Sequence, residues 1–308
     1  MKVLVPAGPL RAELGTLPAG VELVAEPVPG VEVVVLDLGL MDDVPALLGG
    51  LESLRVVLSV FAGVDGFIDS VPAGVTVCGA SGAHDIAVAE WVVTVLLAQR
   101  RRLPELLERQ RRGEWSRADV RESPATRPSA FGPLDDLHGA TVLVLGYGSI
   151  GRAVAARLAP FGANLIGIAS RARADAHGPE ALAQLLGDAD AVVLLLPLTP
   201  ATDRIVDAAF LAAMKPGAVL VNAARGRLVD TDALLAALHS GRLRAALDVT
   251  DPEPLPATHP LWQAPNVLVT PHVAGEVRHW QARAYRIAGE QIRRYAAGEP
   301  LLNVYSRP

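Results

Sequence analysis

Two features of the chain combine residue types that do chemistry. The first is Gly146-x-Gly148-x-x-Gly151, which follows the apolar run Thr141-Val-Leu-Val-Leu145 and opens an amphipathic pattern through Gly162. With a strand before and a helix after, this spacing suits a nucleotide diphosphate. Gly146 allows the tight turn, Gly148 lets the backbone approach the anion, and Gly151 lets the helix pack close to the strand. Ser149 and Ile150 start that helix, whose free N–H groups and positive dipole end would face the phosphates. The second feature is a set of three polar residues at the ends of later apolar runs: Arg225, Glu253 and His272. An open α/β sheet binds its ligand beyond such strand ends. Taken singly, each also fits a plainer role as a surface ion-pairing arginine, a turn carboxylate or a hydrogen-bonded strand-end histidine.

The elements that would position these residues alternate along the chain. In the second half, strands are expected at 141–145, 165–169, 191–196, 218–222, 244–248 and 267–270, with helices at 150–161, 180–187, 207–214 and 231–239. Six strands is the number a doubly wound dinucleotide domain uses. The first half shows β-like runs at 3–5, 31–36, 55–60 and 75–78 and a long helix from Asp85 to Arg101. The rhythm predicts an α/β protein with two doubly wound parallel-sheet domains. Residues 112–137, rich in proline, charge and serine, read as a linker or arm. The helical stretch 276–297 reads as a return to the first domain. Residues 1–98 with 277–308 are thus expected to form one domain, with a dinucleotide-binding domain, 99–276, inserted in it.

Bulk properties narrow the class further. A chain of 308 residues accommodates two domains, and 51% hydrophobic content with 4% aromatics implies a core of Val, Leu and Ala. A net charge of −5 argues against a dedicated nucleic-acid binder. The six arginines between Arg100 and Arg112 read as a polar helix face or a subunit contact rather than a phosphate site. The single cysteine, Cys78, reads as a small buried residue and fits a reducing cytoplasm. No apolar run is long enough to span a bilayer uninterrupted, so no membrane partner is expected.

The combined motifs resemble the D-isomer-specific 2-hydroxyacid dehydrogenase family, in its NADPH-type, glyoxylate/hydroxypyruvate reductase-like form. The matching segments are the glycine triplet, Pro197-Leu-Thr-Pro-Ala-Thr202, Asn222-Ala-Ala-Arg-Gly226, Leu247-Asp-Val249 with Glu253-Pro254, and Thr270-Pro-His-Val-Ala-Gly275. The likeness extends more loosely to Ser59-Val-Phe-Ala-Gly-Val-Asp65 and Val88-Ala-Glu-Trp91.

The resemblance implies a Rossmann coenzyme domain inserted in a flavodoxin-like substrate domain, and it implies roles that these residue types can perform. His272 would be the acid that protonates a carbonyl oxygen as hydride arrives, and the base in reverse. Glu253 would hold its ring, and Arg225 would clamp the substrate carboxylate and 2-oxo group. Phe61, Ala62 and Gly63 would offer backbone N–H groups to the same carboxylate. Asp248 would accept from the nicotinamide carboxamide. Pro197, Thr202, Ala223 and Gly275 would line the coenzyme, and no metal is implied. A homodimer is implied, with segment 99–135 reaching to the other subunit. So is domain closure, with hinges near 98–102 and 274–278.

Two positions depart from the family pattern. NAD-preferring members carry an acid at the end of the second strand, where this chain has Ala169 followed by Ser170, Arg171 and Arg173. A hydroxyl and guanidinium groups suit a 2′-phosphate, so the expected coenzyme is NADP(H) rather than NAD(H). Leu195 stands where many relatives have histidine. The leading expectation is reduction of a small 2-oxo acid to its D-2-hydroxy acid. The alternative is a dinucleotide-sensing, corepressor-like interaction protein of the same fold. Formate or phosphite oxidation is a third possibility, although formate oxidisers have glutamine where Glu253 stands.

Overall fold

The computed structural model describes residues 1–115 and 134–305. The chain divides into two compact units, Met1–Ala87 with Gly275–Pro308, and Val88–Ala274. The second unit is inserted into the first, which gives two parallel-sheet α/β domains.

The first unit carries β1 (Lys2–Leu4), β2 (Glu22–Val24), β3 (Val31–Leu36), α1 (Val44–Gly49), β4 (Val56–Ser59) and β5 (Thr76–Cys78). Its sheet has the order β2-β1-β3-β4-β5, entirely parallel, which is the flavodoxin-like order. β2 lies outside the strands read from the sequence. It is three residues long, and only its pairing with β1 marks it.

In chain order, α2 (Asp85–Arg100) and α3 (Leu103–Arg111) come next. The division between units falls at 87/88 and 274/275, against the 98/99 and 276/277 read from the sequence. Most of α2 sits with the second unit because Val88, Val92, Val95 and Leu96 bury into one cluster with Val142, Val144 and Val154. The arginines near α3 pair along the helix, Arg102 with Glu105 and Arg111 with Glu108, both at 3.1 Å. Much of the arm read at 112–137, and of segment 99–135, lies outside the described residues.

The second unit follows with β6 (Thr141–Leu145), α4 (Ser149–Leu158), β7 (Asn164–Ile168), α5 (Leu182–Leu185), β8 (Ala191–Leu194), α6 (Ala208–Ala213), β9 (Val219–Asn222), α7 (Thr231–His239), β10 (Arg244–Leu247) and β11 (Val267–Val269). The strand order is β11-β10-β9-β8-β6-β7, all parallel. A further parallel bridge joins Ile168 to His177 beyond β7. Side-chain alternation splits the strands between two cores. Leu143, Val192, Leu194 and Leu220 face α6 and α7, while Val142, Val144, Val193 and Val221 face α2 and α4. The helix read at 180–187 is realised as α5 between two 3-10 turns.

α8 (Trp280–Ala296) belongs to the first unit and buries Ala284, Tyr285, Ala288 and Ile292 against Val3, Val33 and Val56. Among the described residues no helix is long and apolar enough to cross a membrane.

Candidate active site

Strand order in the second unit reverses between β6 and β8, and the glycine loop emerges there. Gly146 adopts φ +92°, and a Cβ on it would lie 2.5 Å from the Leu195 carbonyl carbon and oxygen. Leu195, the departure from family pattern, therefore walls this turn with its backbone, and its N–H donates to the Leu145 carbonyl at 2.7 Å. A Cβ on Gly151 would meet the Tyr147 ring at 3.1 Å and the Gly146 carbonyl at 3.3 Å. Nothing lies within 4 Å of a Cβ built on Gly148, which is exposed and precedes α4. The turn is thus crowded at the first and third glycines and open at the second. That shape fits a diphosphate laid against the start of α4.

Ala169, the first residue past β7, is buried, and Ser170 and Arg171 beyond it are exposed. The Thr202 hydroxyl donates to the Pro197 carbonyl at 2.7 Å and accepts from Thr199 N–H at 2.8 Å, closing the loop after β8 upon itself. Ala223, at the end of β9, donates to the Leu194 carbonyl at 3.4 Å.

Arg225, Asp248 and His272 follow the adjacent strands β9, β10 and β11 at the carboxyl edge of the sheet. Buried Asn222 shapes the first of these loops. Its amide donates to the Arg225 carbonyl at 2.9 Å and its oxygen accepts from Ala224 N–H at 3.1 Å. Arg225 Nη1 donates to the Ala224 carbonyl at 2.7 Å. Gly226 then presses on the next loop, where a Cβ would lie 1.9 Å from the Thr250 carbonyl oxygen. The Arg225 loop and the segment leading to Glu253 therefore meet through backbone.

His272 Nδ1 and Glu253 Oε1 are 2.6 Å apart, and both side chains are partly exposed. An ionised carboxylate only accepts, so Nδ1 carries the proton and the tautomer is fixed. Asp248, 3% exposed, holds the turn that carries His272. Its carboxylate accepts from the Thr270 hydroxyl at 2.5 Å, Val273 N–H at 2.9 Å and Ala274 N–H at 2.8 Å. Beside the pair lies a cavity of about 210 Å³ lined by Asp248, Thr250, Glu253, Trp262, Thr270 and His272. Asn222, Gly226 and Thr270 acquire no role from residue type in the sequence. Their only signal is that they fall within the matched motifs.

In the first unit, the loop after β4 presents Phe61, Ala62 and Gly63. The Phe61 N–H donates to Ser59 Oγ at 3.0 Å. Among the described residues no hydrogen bond engages the N–H of Ala62 or Gly63. The Phe61 ring packs against buried Trp280, whose ring lies 5.0 Å from that of His84. Burial holds His84 below the ordinary histidine range against opposing bonds to the Gly275 and Val60 carbonyls. A Cβ on Gly275 would come within 2.9 Å of that imidazole. Cys78 is buried and its thiol is pushed up to about 11, so it is no nucleophile at neutral pH. Among the described residues no group of three or more His, Cys, Asp or Glu could hold a metal ion.

Residues 93–274 match the family model for the NAD binding domain of D-isomer specific 2-hydroxyacid dehydrogenases. The chain is 38% identical to the glyoxylate/hydroxypyruvate reductase B of Citrobacter koseri, over 76% of this chain and 72% of that protein. It is 36% identical to the D-3-phosphoglycerate dehydrogenase of Methanocaldococcus jannaschii over 83% of this chain. It spans about half of that longer relative, 48%. Its fold is similar to a D-isomer specific 2-hydroxyacid dehydrogenase from Xanthobacter autotrophicus, solved with NADPH and MES. The TM-score is 0.79 at 32% identity, covering 99% of this chain and 97% of that one.

Proposed function

Because the chain belongs to the D-isomer specific 2-hydroxyacid dehydrogenase family, and so is an NAD(P)-dependent oxidoreductase, we propose that it reduces a small 2-oxo acid with NADPH. Substrates of the glyoxylate, hydroxypyruvate or larger 2-ketoacid kind would give the D-2-hydroxy acid. The observation that carries this reading is the 2.6 Å contact between His272 and Glu253 on the sheet edge that also bears Arg225.

The coenzyme supplies a hydride when bound. Glu253 orients the imidazole by accepting from Nδ1–H; in the doubly protonated ring Nε2–H gives its proton to the substrate oxygen, and in the reverse direction the neutral ring takes it back at Nε2. The Arg225 guanidinium pairs with the substrate carboxylate. Within the first unit, the N–H groups of Ala62 and Gly63 are the donors its loop offers a carboxylate, since that of Phe61 is already bonded to Ser59. Asp248 has three donors on its carboxylate and acts chiefly by holding the His272 turn.

Support for NADPH comes from the end of β7, where Ala169 offers no carboxylate to a ribose diol and exposed Ser170 and Arg171 follow. The similar Xanthobacter protein was solved with NADPH. Dimerisation through segment 99–135 is supported by the apolar residues it exposes, Leu103, Leu107 and Trp115.

Coenzyme oxidation against a panel of 2-oxo acids tests the proposal. We expect a higher kcat/KM with NADPH than with NADH, and a loss of about 10² to 10⁴ in rate for His272→Ala. A tenfold preference for NADH refutes the coenzyme assignment, and undiminished turnover in the variant removes His272 from the mechanism.

A further inference from the structure

At the end of β7 the chain makes a closed excursion over residues 169–177. Ala169 N–H donates to the His177 carbonyl at 2.9 Å, and His177 N–H donates to the Gly167 carbonyl at 2.9 Å. Arg173 and Ala176 exchange both backbone bonds, at 2.9 and 3.2 Å. Four main-chain bonds therefore fix the tip, where two opposite charges meet. Asp175 Oδ1 accepts from Arg173 Nε at 2.8 Å, and Asp175 Oδ2 lies 3.8 Å from Nη1 of Arg152 on α4. Arg173 also donates through Nη2 to the carbonyl of Tyr147, inside the glycine loop. One carboxylate thus engages two guanidinium groups beside the diphosphate turn, past the end of the second strand. Dinucleotide folds place the adenosine ribose and its 2′ substituent there.

We propose that Asp175 is a coenzyme-specificity residue that weakens preference for the phosphorylated coenzyme, because its carboxylate occupies Arg173 and Arg152 as their counter-ion. The inference rests on the reading of Ser170 and Arg171 as the 2′-phosphate side of the site. All three side chains in the cluster are about half exposed. Such an ion pair is weak and exchanges readily. A 2′-phosphate competing for either arginine carries up to two negative charges and meets a third on Asp175, whether or not the carboxylate gives way. A ribose hydroxyl carries no charge and meets no such opposition. Asp175 therefore acts on the ratio between the two coenzymes and hardly on the binding they share. Asparagine at this position keeps the size and an acceptor for Arg173 Nε but removes the charge.

Calorimetric titration of the full chain with 2′,5′-ADP and with 5′-AMP tests the idea without catalysis. In Asp175→Asn, 2′,5′-ADP should bind about three- to tenfold tighter, while 5′-AMP stays within about twofold. Asp175→Ser should move the same ratio in the same direction. If the ratio does not change, or both ligands shift together as a merely structural role would require, Asp175 is not a specificity residue. The NADPH reading is judged separately, on the unsubstituted chain, which should favour 2′,5′-ADP over 5′-AMP. Equal affinities there refute that reading, and the change in ratio on substitution still decides the role of Asp175.

Discussion

The main-chain N–H of His272 donates to the Asp248 carbonyl at 2.7 Å, so the turn bearing the imidazole hangs from the neighbouring strand. His272 itself adopts φ +55°, the left-handed region that a side chain with a Cβ enters at a cost of about 1–2 kcal/mol. The Asp248 carboxylate offsets that strain by binding the next two N–H groups and the Thr270 hydroxyl.

Asp248→Asn should therefore loosen the turn. An amide keeps one accepting oxygen but turns a donor toward groups that themselves donate. Losing one buried bond to a charged acceptor costs about 1.5–3 kcal/mol. Chemical denaturation should show the midpoint falling accordingly, with turnover reduced in parallel. An unchanged midpoint would show that the carboxylate does not hold the turn.

Gly226→Ala forces a backbone shift, because the new Cβ would lie 1.9 Å from the Thr250 carbonyl. The two loops it separates carry Arg225 and lead to Glu253, so substrate binding and proton transfer should both suffer. We expect a fall in kcat/KM of about 10²-fold or more, the scale of a misplacement of about 1 Å. Affinity for 2′,5′-ADP, whose proposed contacts lie past the ends of β6 and β7, should change little. Wild-type kinetics in this variant would mean that the loops need no close approach.

His84 should give the fold a pH dependence on the acid side. Burial, the largest influence, lowers its pKa, with a smaller push from Arg283; bonds to the Gly275 and Val60 carbonyls and the charge of Glu276 oppose it. In the unfolded chain the ring takes a proton near the ordinary value of about 6.5. Below that pH the unfolded state binds more protons, so this contribution is present above about pH 6.5 and lost as pH falls. His84→Gln should flatten the decline, which one proton limits to about 1.4 kcal/mol per pH unit. Identical pH–stability curves for the two proteins would show that the ring does not titrate differently on folding.

Much of this architecture was legible in the residues. The strand–glycine–helix junction at 141–158 and all six strands of the second unit follow from apolar runs and turn residues, because parallel strands buried on both faces read plainly. β2 was not legible, since Glu22-Leu-Val24 has no pattern beyond its pairing with β1. Nor was the division of α2, whose apolar face continues past Ala87 without a break.

The candidate site was legible as residue types but not as linkages. Strand ends marked Arg225, Glu253 and His272, whereas the donors that hold Asp248 include main-chain N–H groups that every residue possesses. The partner of Asp175 on α4 is likewise set by the fold, because Arg152 stands 23 residues earlier in the chain.

Arg225, Asp248 and His272 follow three neighbouring strands whose axes are about 4.8 Å apart. Their spacing across the sheet is a matter of register, and a slip of one residue in any strand would turn its side chains to the opposite face. Efforts to retune this protein toward other acids should therefore preserve the lengths of β9, β10 and β11. Insertions belong at the amino-terminal edge of the sheet, where they leave the chemistry undisturbed.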